Sequence, residues 1–250
     1  MTPLDAGLII GAGLAAGAIN TIVGSGSLVT FPTLLALGYA PVTANIANTL
    51  GLVPGSASGA IAYRRELVGQ RARAIRLGMA AGLGGLTGGV LLLVLPSSAF
   101  GRIVPILILI ACVLVALQPR LSRVLAARRG SDSEGSRLLP LLVYATAIYG
   151  GYFGAAQSVI LIAILGVFIP EGLQRLNGLK NVLAFIVNGV AALLFITVAR
   201  VAWEPVVLIA IGSIVGGQVG AHVGRRLSPM LLRGVIIVVG TVVAARMLLA

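Results

Sequence analysis

The sequence predicts an all-α polytopic membrane protein made of two inverted repeats, each of about five helical segments including one short broken or re-entrant segment. Three observations carry this. Charged residues make up 10% of the 250 positions and hydrophobic residues 58%, with a mean hydropathy of +1.09. A soluble domain carries roughly a quarter charged residues, so this chain has too few polar groups to cover a surface facing water. Apolar stretches follow one another along the chain, many near the length of about 20 residues that crosses hydrocarbon as a helix. Finally, the two halves present these stretches in the same order, with a short interrupted one in equivalent places.

In the first half the expected segments are 4–23, a short 27–40, 42–62, 77–95 and 99–117. In the second they are 138–156, a short 157–170, 181–199, 205–223 and 234–250. Between the halves lies "QPRLSRVLAARRGSDSEGSR", whose Ser, Asp, Glu and Gly cluster reads as a flexible stretch. The expected division is a first membrane repeat over 1–118, a cytoplasmic linker over 119–137 and a second membrane repeat over 138–250. An offset of 132 superposes Asn45 on Asn177, Gly84 and Gly85 on Gly216 and Gly217, Gly88 on Gly220, Tyr63 on Phe195 and Leu95 on Leu227.

The net charge of +12 is a matter of topology. Basic residues fall in the short gaps between apolar segments, and no basic stripe is interleaved with aromatics as nucleic acid binding would require. If the segments alternate, fifteen of the eighteen basic residues lie on one side, leaving only Arg102, Arg200 and Arg246 on the other. The basic-rich side is expected to be cytoplasmic, which puts both termini outside. An odd number of crossings per half gives the halves opposite orientation, whether each short segment crosses or re-enters. The N-terminus has no basic region ahead of its apolar stretch and does not read as a cleaved signal peptide. Cys112 is the only cysteine, so the chain offers no internal disulfide and no Cys-based metal site.

The stretch "INTIVGSGSLVTFPTLL", residues 19–35, is apolar yet carries Asn20, Thr21, Gly24, Ser25, Gly26, Ser27, Thr30 and Pro32. An intramembrane serine hydrolase would need Ser25 or Ser27 as nucleophile with a base in reach. The lone His222, beside Arg225 and Arg226 at a helix end, does not suggest that pairing. "GAGLAAG" at 11–17 lies inside a span, not between a strand and a helix, which excludes a dinucleotide fingerprint. Gly7, Gly11, Gly13 and Gly17 read as faces for close helix packing, as do Gly78, Gly82, Gly85 and Gly89, and Gly212, Gly216 and Gly220.

A helix broken on purpose remains. Fourteen residues make about 21 Å of helix, short of a hydrocarbon core roughly 30 Å thick. Paired short, interrupted segments in corresponding positions point to a transporter's binding site, because helix N-termini expose unpaired N–H groups and positive dipole to an anion. The candidate substrate-binding residues are therefore Gly24, Ser25, Gly26, Ser27, Gln157 and Ser158. A second pair of polar clusters joins them: Asn45, Asn48 and Thr49 share one helix face, and Asn177, Lys180 and Asn181 another. Their other reading is hydrogen bonding between helices or capping, and Lys180 could snorkel to the cytoplasmic interface. No acidic residue lies clearly within a span, which favours an anionic or neutral substrate over a metal cation. Catalytic residues, metal and cofactor are all expected to be absent. The expected partners are a small anionic substrate, the lipid bilayer and a proton as the candidate coupling ion, without nucleic acid; no sequence feature sets an oligomeric state.

Three stretches carry a family resemblance: "GSGSLVTFPTLLALGYAP", "ANIANTLGLVPGSASGAIAYRRELV" and "YGGYFGAAQSVILIAILG". In these, and in the order of elements over nearly the whole chain, the sequence resembles the sulfite exporter family of the TauE/SafE type. The resemblance implies a secondary transporter of the bacterial plasma membrane that moves sulfur-containing anions such as sulfite or organosulfonates, usually outward. Against that pattern the chain has Ser25 and Ser27 where the family commonly has a glycine run, and Ala155, Ala156 and Gln157 in the second break. The alternatives are a channel or carrier for another small solute, and the serine hydrolase.

Overall fold

The computed structural model describes residues 1–22, 24–127, 138–223 and 229–249. These form ten helices: α1 (Pro3–Ile22), α2 (Ser27–Ala36), α3 (Pro41–Ala62), α4 (Arg71–Val94), α5 (Ser97–Ala127), α6 (Leu138–Tyr152), α7 (Gln157–Phe168), α8 (Leu173–Val198), α9 (Trp203–Val223) and α10 (Pro229–Leu249). No strand occurs among the described residues. Every expected segment is a helix, with shifted ends. Helix α4 starts at Arg71 and α8 at Leu173, each ahead of its apolar run, and α5 continues through Pro119 to Ala127, into the stretch expected as linker. Residues 128–137 of that stretch, with Arg128, Arg129 and Arg137, lie outside the described residues, as do Arg225 and Arg226.

Among the described residues, five helices are long and apolar enough to cross a membrane: α1, α4, α8, α5 as far as Arg120 and α9 as far as Gly220. Helix α3 is as long, at 22 residues, but carries several polar side chains and is not among them. Its Asn45, Asn48, Thr49, Ser56 and Ser58 are all buried, turned inward where polar groups in a bilayer must go. Helices α2 and α7 are even shorter than expected, at 10 and 12 residues. The outward faces carry large apolar side chains such as Leu4, Leu83, Val113, Leu193 and Val242, as hydrocarbon contact requires.

Helices α3 and α8 start 132 residues apart, and so do α4 and α9, and α5 and α10; α2 and α7 start 130 apart. Packing follows the same spacing. Helix α1 lies on α9 and α6 on α4; α3 packs on α9 and α8 on α4; α5 touches α7 and α10 touches α2; α3 meets α8 and α5 meets α10. Exchanging α1–α5 with α6–α10 maps the first six of these contacts onto one another in pairs and the last two, α3–α8 and α5–α10, onto themselves.

Glycine lets the two principal pairs close. A Cβ added at Gly84 or Gly88 would lie 2.5 Å from the Tyr144 carbonyl oxygen or 2.1 Å from that of Ile148. At Gly216 or Gly220 it would lie 2.0 Å from the Leu14 oxygen or 2.7 Å from that of Ala18. The obstacle is backbone in each case, so no side-chain movement relieves it. Gly13 and Gly17 press on Ile209 and Ser213 in the same way. Gly7 and Gly11 depart from the expected packing face: nothing lies within 4 Å of a Cβ at either, and both look outward.

Two of the basic gaps meet at one end of the molecule. Arg73, opening α4, pairs with Glu171 at 3.4 Å, and Arg175 with Glu171 at 2.6 Å. Arg175 also donates to the Val68 carbonyl and Gln70 to that of Arg175, tying the α3–α4 loop to the start of α8. Elsewhere, Tyr39 in the α2–α3 loop has its phenol pushed up by partial burial, then by the carboxylates of Glu204 and Asp5.

Leu at position 88 or 216 is expected to lower the unfolding temperature in detergent, the overpacking costing about 1–3 kcal/mol. Gly11→Ala, which meets open space, should leave it unchanged or raise it. Thermal unfolding of the three variants checks this, and equal losses at all three positions would contradict the packing described.

Candidate functional site

Each half contains one helix that stops and restarts. Between α1 and α2 the chain turns at Gly24, with φ +90, whose N–H donates to the Ile19 carbonyl at 2.8 Å. Between α6 and α7 it turns at Gly154, with φ +77, whose N–H donates to the Tyr149 carbonyl at 3.0 Å. Both bonds reach five residues back, and both glycines take the left-handed conformation that ends helices cheaply only without a Cβ. Gly24 is needed twice over. A Cβ there would fall 2.0 Å from the Cβ of Ser158, so the first break rests against the first turn of α7.

Local side chains close each turn. Asn20 Oδ1 accepts from the Gly26 N–H at 2.7 Å, and the Tyr149 hydroxyl donates to the Ala155 carbonyl. An aromatic cluster braces both from one side: the Phe31 ring of α2 stands 5.2 Å from that of Phe153 in the second break, edge to face, with Phe100 of α5 within 6.5 Å of both.

The carbonyls freed at the helix ends are met from the opposite half. Lys180 of α8 donates from Nζ to the Asn20 carbonyl of α1 at 3.2 Å, and Asn45 of α3 donates from Nδ2 to the Tyr152 carbonyl of α6 at 2.9 Å. Both donors are 1% exposed. The C-terminal, negative end of each interrupted helix is thus covered by a side-chain N–H donor. Lys180 does not snorkel to an interface; it is buried behind the first break.

The N-terminal ends of α2 and α7 remain, and they face one cavity. Its wall comprises Asn20, Thr21 and Gly24 of the first break, Ser27 of α2, Ser56 of α3, Gly154, Gln157 and Ser158 of the second break and α7, and Asn181, Ala184 and Asn188 of α8. The room inside is small, about 20 Å³ for the centre of a water-sized molecule, enough for roughly one water. Two groups on this wall are buried donors without a partner among the described residues: Gln157 Nε2 and Asn181 Nδ2, on side chains 3% and 5% exposed. A buried donor left unbonded costs about 1–3 kcal/mol, a cost that an acceptor placed in the cavity would relieve. No carboxylate lines the cavity. The larger hollow, about 520 Å³ between α3, α8 and α9, is walled by apolar residues such as Leu50, Val53, Phe185, Leu193 and Trp203 and offers an ion nothing.

Of the residues singled out in the sequence, Gly24, Ser27, Gln157, Ser158 and Asn181 come together on this wall. The others stand elsewhere. Asn48 accepts from the Thr30 hydroxyl and donates to Ser27 Oγ at 3.2 Å, joining α3 to α2. Asn45 and Lys180 are caps, Gly26 packs on the Ala16 backbone, and Thr49 is buried in α3. Ser25 Oγ is buried without a partner among the described residues but does not line the cavity, and Asn177 is half-buried one turn before Lys180. The side chain of His222 lies outside the described part of the structure. Sequence reasoning passed over Ser56 and Asn188 as site residues, although they lie 132 apart and so share the repeat spacing.

Comparison with known proteins agrees with this architecture. The family model described as sulfite exporter TauE/SafE matches residues 9–247. The probable membrane transporter protein YfcA of Escherichia coli K12 is 26% identical over 99% of this chain and 91% of its own length. The probable membrane transporter protein ORF9 of a Sinorhizobium species is 23% identical over 95% of this chain and 90% of its own, and a probable membrane transporter protein of Haemophilus influenzae 24% identical over 94% and 91%. No solved structure matches the chain. With its membrane-length helices and a family match over nearly its whole length, the protein is a multi-pass membrane transporter belonging to the sulfite exporter TauE/SafE family.

Proposed function

We propose that the protein is a secondary transporter that exports small sulfur-containing anions, such as sulfite or organosulfonates, by alternating access between two inverted repeats. The observation that carries the reading is the pair of unpartnered amide donors, Gln157 Nε2 and Asn181 Nδ2, on one cavity where both helix breaks meet. Two helix N-termini face that cavity with their dipoles positive. Most of their first-turn N–H groups are already bonded, Leu28 to the Ser25 carbonyl and Val29 to that of Gly26 in α2, Gln157 to that of Gly154 and Val159 to that of Ala156 in α7. Side-chain donors therefore carry most of the recognition. Hydroxyls of Ser27, Ser56 and Ser158 complete a wall rich in donors and free of carboxylates, which suits an oxyanion and repels nothing about it. The family description supplies the sulfur chemistry.

Inverted repeats are supported by the matched helix starts and by contacts that interconvert when the halves are exchanged. Repeats over 1–118 and 138–250, joined by a cytoplasmic linker over 119–137, place the basic gaps inside the cell and both termini outside, in the bacterial plasma membrane. A cavity with room for about one water is too tight for an oxyanion, so the form described is closed and binding requires one break to open. The anion's charge grows no new bonds in transit; the carrier performs no chemistry.

Proteoliposome flux of sulfite, sulfate, taurine and sulfoacetate, with and without a pH gradient, tests the reading and the proton as coupling ion. Saturable flux of at least one sulfur oxyanion is expected; flux of none would remove the reading. Gln157→Leu and Asn181→Leu separate a binding role from a structural one. Each removes a buried donor that the fold leaves unbonded, so thermal stability should hold or rise. Anion affinity should fall about tenfold, the equivalent of ~1.4 kcal/mol. Lost stability with unchanged affinity would mean that the two amides serve the fold alone.

A further inference from the structure

We infer that the apolar hollow between α3, α8 and α9 seats one acyl chain of a membrane phospholipid, whose phosphate rests on Arg200. The inference does not depend on which cargo the protein moves.

Two local features open the hollow. Gly189 leaves a gap on α8 between Phe185 and Leu193, and nothing lies within 4 Å of a Cβ added there. Pro54, inside α3, has no N–H to bond the Leu50 carbonyl one turn back, and both residues line the hollow. Every lining side chain is apolar, so the space of about 520 Å³ offers water no partner. Phe185, Leu193, Ile196 and Trp203 are exposed, which places the opening on the lipid-facing side. The hollow shares no lining residue with the anion cavity.

Its length is that of one leaflet. Phe185 and Ile196 are 11 residues apart on α8, which makes about 16 Å of helix. Half of a hydrocarbon core roughly 30 Å thick is about 15 Å. The hollow also ends where a headgroup begins. Ile196, in the last turns of α8, and Trp203, opening α9, frame that end, and tryptophan settles at membrane interfaces. Arg200 lies in the turn between them, exposed and without a hydrogen bond or ion pair among the described residues. A guanidinium at that level takes a phosphate with two parallel N–H bonds. Glu204 stands close enough to Tyr39 to act on its phenol and forms no ion pair with Arg200. Arg200 therefore meets the phosphate that phospholipids share, and a net negative headgroup gains nothing from the turn. Chain length and headgroup height together favour a lipid over a second copy of the protein, for which neither would matter. Phe185 and Gly189 adjoin Ala184 and Asn188 of the anion cavity in sequence, so a seated chain braces α8 from its lipid side.

Trp203 is the only tryptophan in the chain and lines the hollow, so its fluorescence reports the occupant. The test titrates purified protein in detergent with a phospholipid brominated on its acyl chains, a contact quencher. Quenching should saturate, and unbrominated phosphatidylethanolamine and phosphatidylglycerol should reverse it alike. A brominated fatty alcohol, which has the chain without the phosphate, should need about tenfold more, the factor that ~1.4 kcal/mol gives. Gly189→Leu, which fills the gap, should abolish the saturable part. Arg200→Gln should bring the phospholipid down to the level of the alcohol. Quenching without saturation in the unaltered protein, or untouched by both substitutions, would mean that Trp203 meets only bulk lipid and detergent, and would overturn the inference. Equal affinity for alcohol and phospholipid would overturn it as well. So would a dimer that shields Trp203 from bromine and is lost in Gly189→Leu, because the occupant is then a second copy. The unaltered protein, titrated with phospholipid and with alcohol, decides the matter even if Gly189→Leu does not fold.

Discussion

A helix that stops inside a hydrocarbon layer leaves carbonyl and amide groups with nothing to bond, and neither lipid nor bulk water can answer them there. The architecture of this protein depends on how it meets that demand at two places. Each half sends a donor across to the other: α8 of the second half caps α1 through Lys180, and α3 of the first half caps α6 through Asn45. Neither half can satisfy its own interrupted helix in this way. The helices that bring the donors into reach must pack closely, which is the work of the glycines at 84, 88, 216 and 220, where backbone meets backbone.

The same demand separates the polarity of the helix ends. C-terminal carbonyls are covered by the amide of Asn45 and the amine of Lys180, while the N-terminal ends of α2 and α7 are left facing the cavity. Negative potential is thus neutralised and positive potential concentrated where Gln157 and Asn181 hold donors without partners. In the proposed reading, a site assembled from dipoles, amides and hydroxyls would bind an anion without burying a cation against it, which would keep the cost of release low. The buried Lys180 stays off the cavity wall and caps the Asn20 carbonyl.

Much of this was legible in the sequence. The ten segments, the two short ones and the glycine-containing breaks follow from length, hydropathy and composition, and the structure has a helix at each. The partners were not legible. Helical spacing says that Asn45, Asn48 and Thr49 share a face, but not that Asn48 would be used up by Thr30 and Ser27 while Asn45 reached Tyr152. The length of the lysine side chain lets Lys180 reach a carbonyl that lies beyond its own turn, and no spacing rule reports this. An offset of 132 aligns the later helices but not the breaks, where Gly24 and Gly154 differ by 130. The order of segments already placed the two breaks in corresponding positions; that Gly24 and Gly154 are the matching turn residues emerged from their shared φ and shared bond to the fifth residue back. Asn188 stands two turns beyond the cluster of Asn177, Lys180 and Asn181 in α8, and its one signal, the 132-residue spacing from Ser56, links two polar residues that differ in type.

The central claim is that two helix breaks, one from each half, form a single anion site. A structure determined by electron cryomicroscopy in the presence of sulfite tests it most directly. The account predicts density for the anion within hydrogen-bonding distance of both Gln157 Nε2 and Asn181 Nδ2, between the first turns of α2 and α7. Sulfite bound at only one break, or away from both, would contradict it.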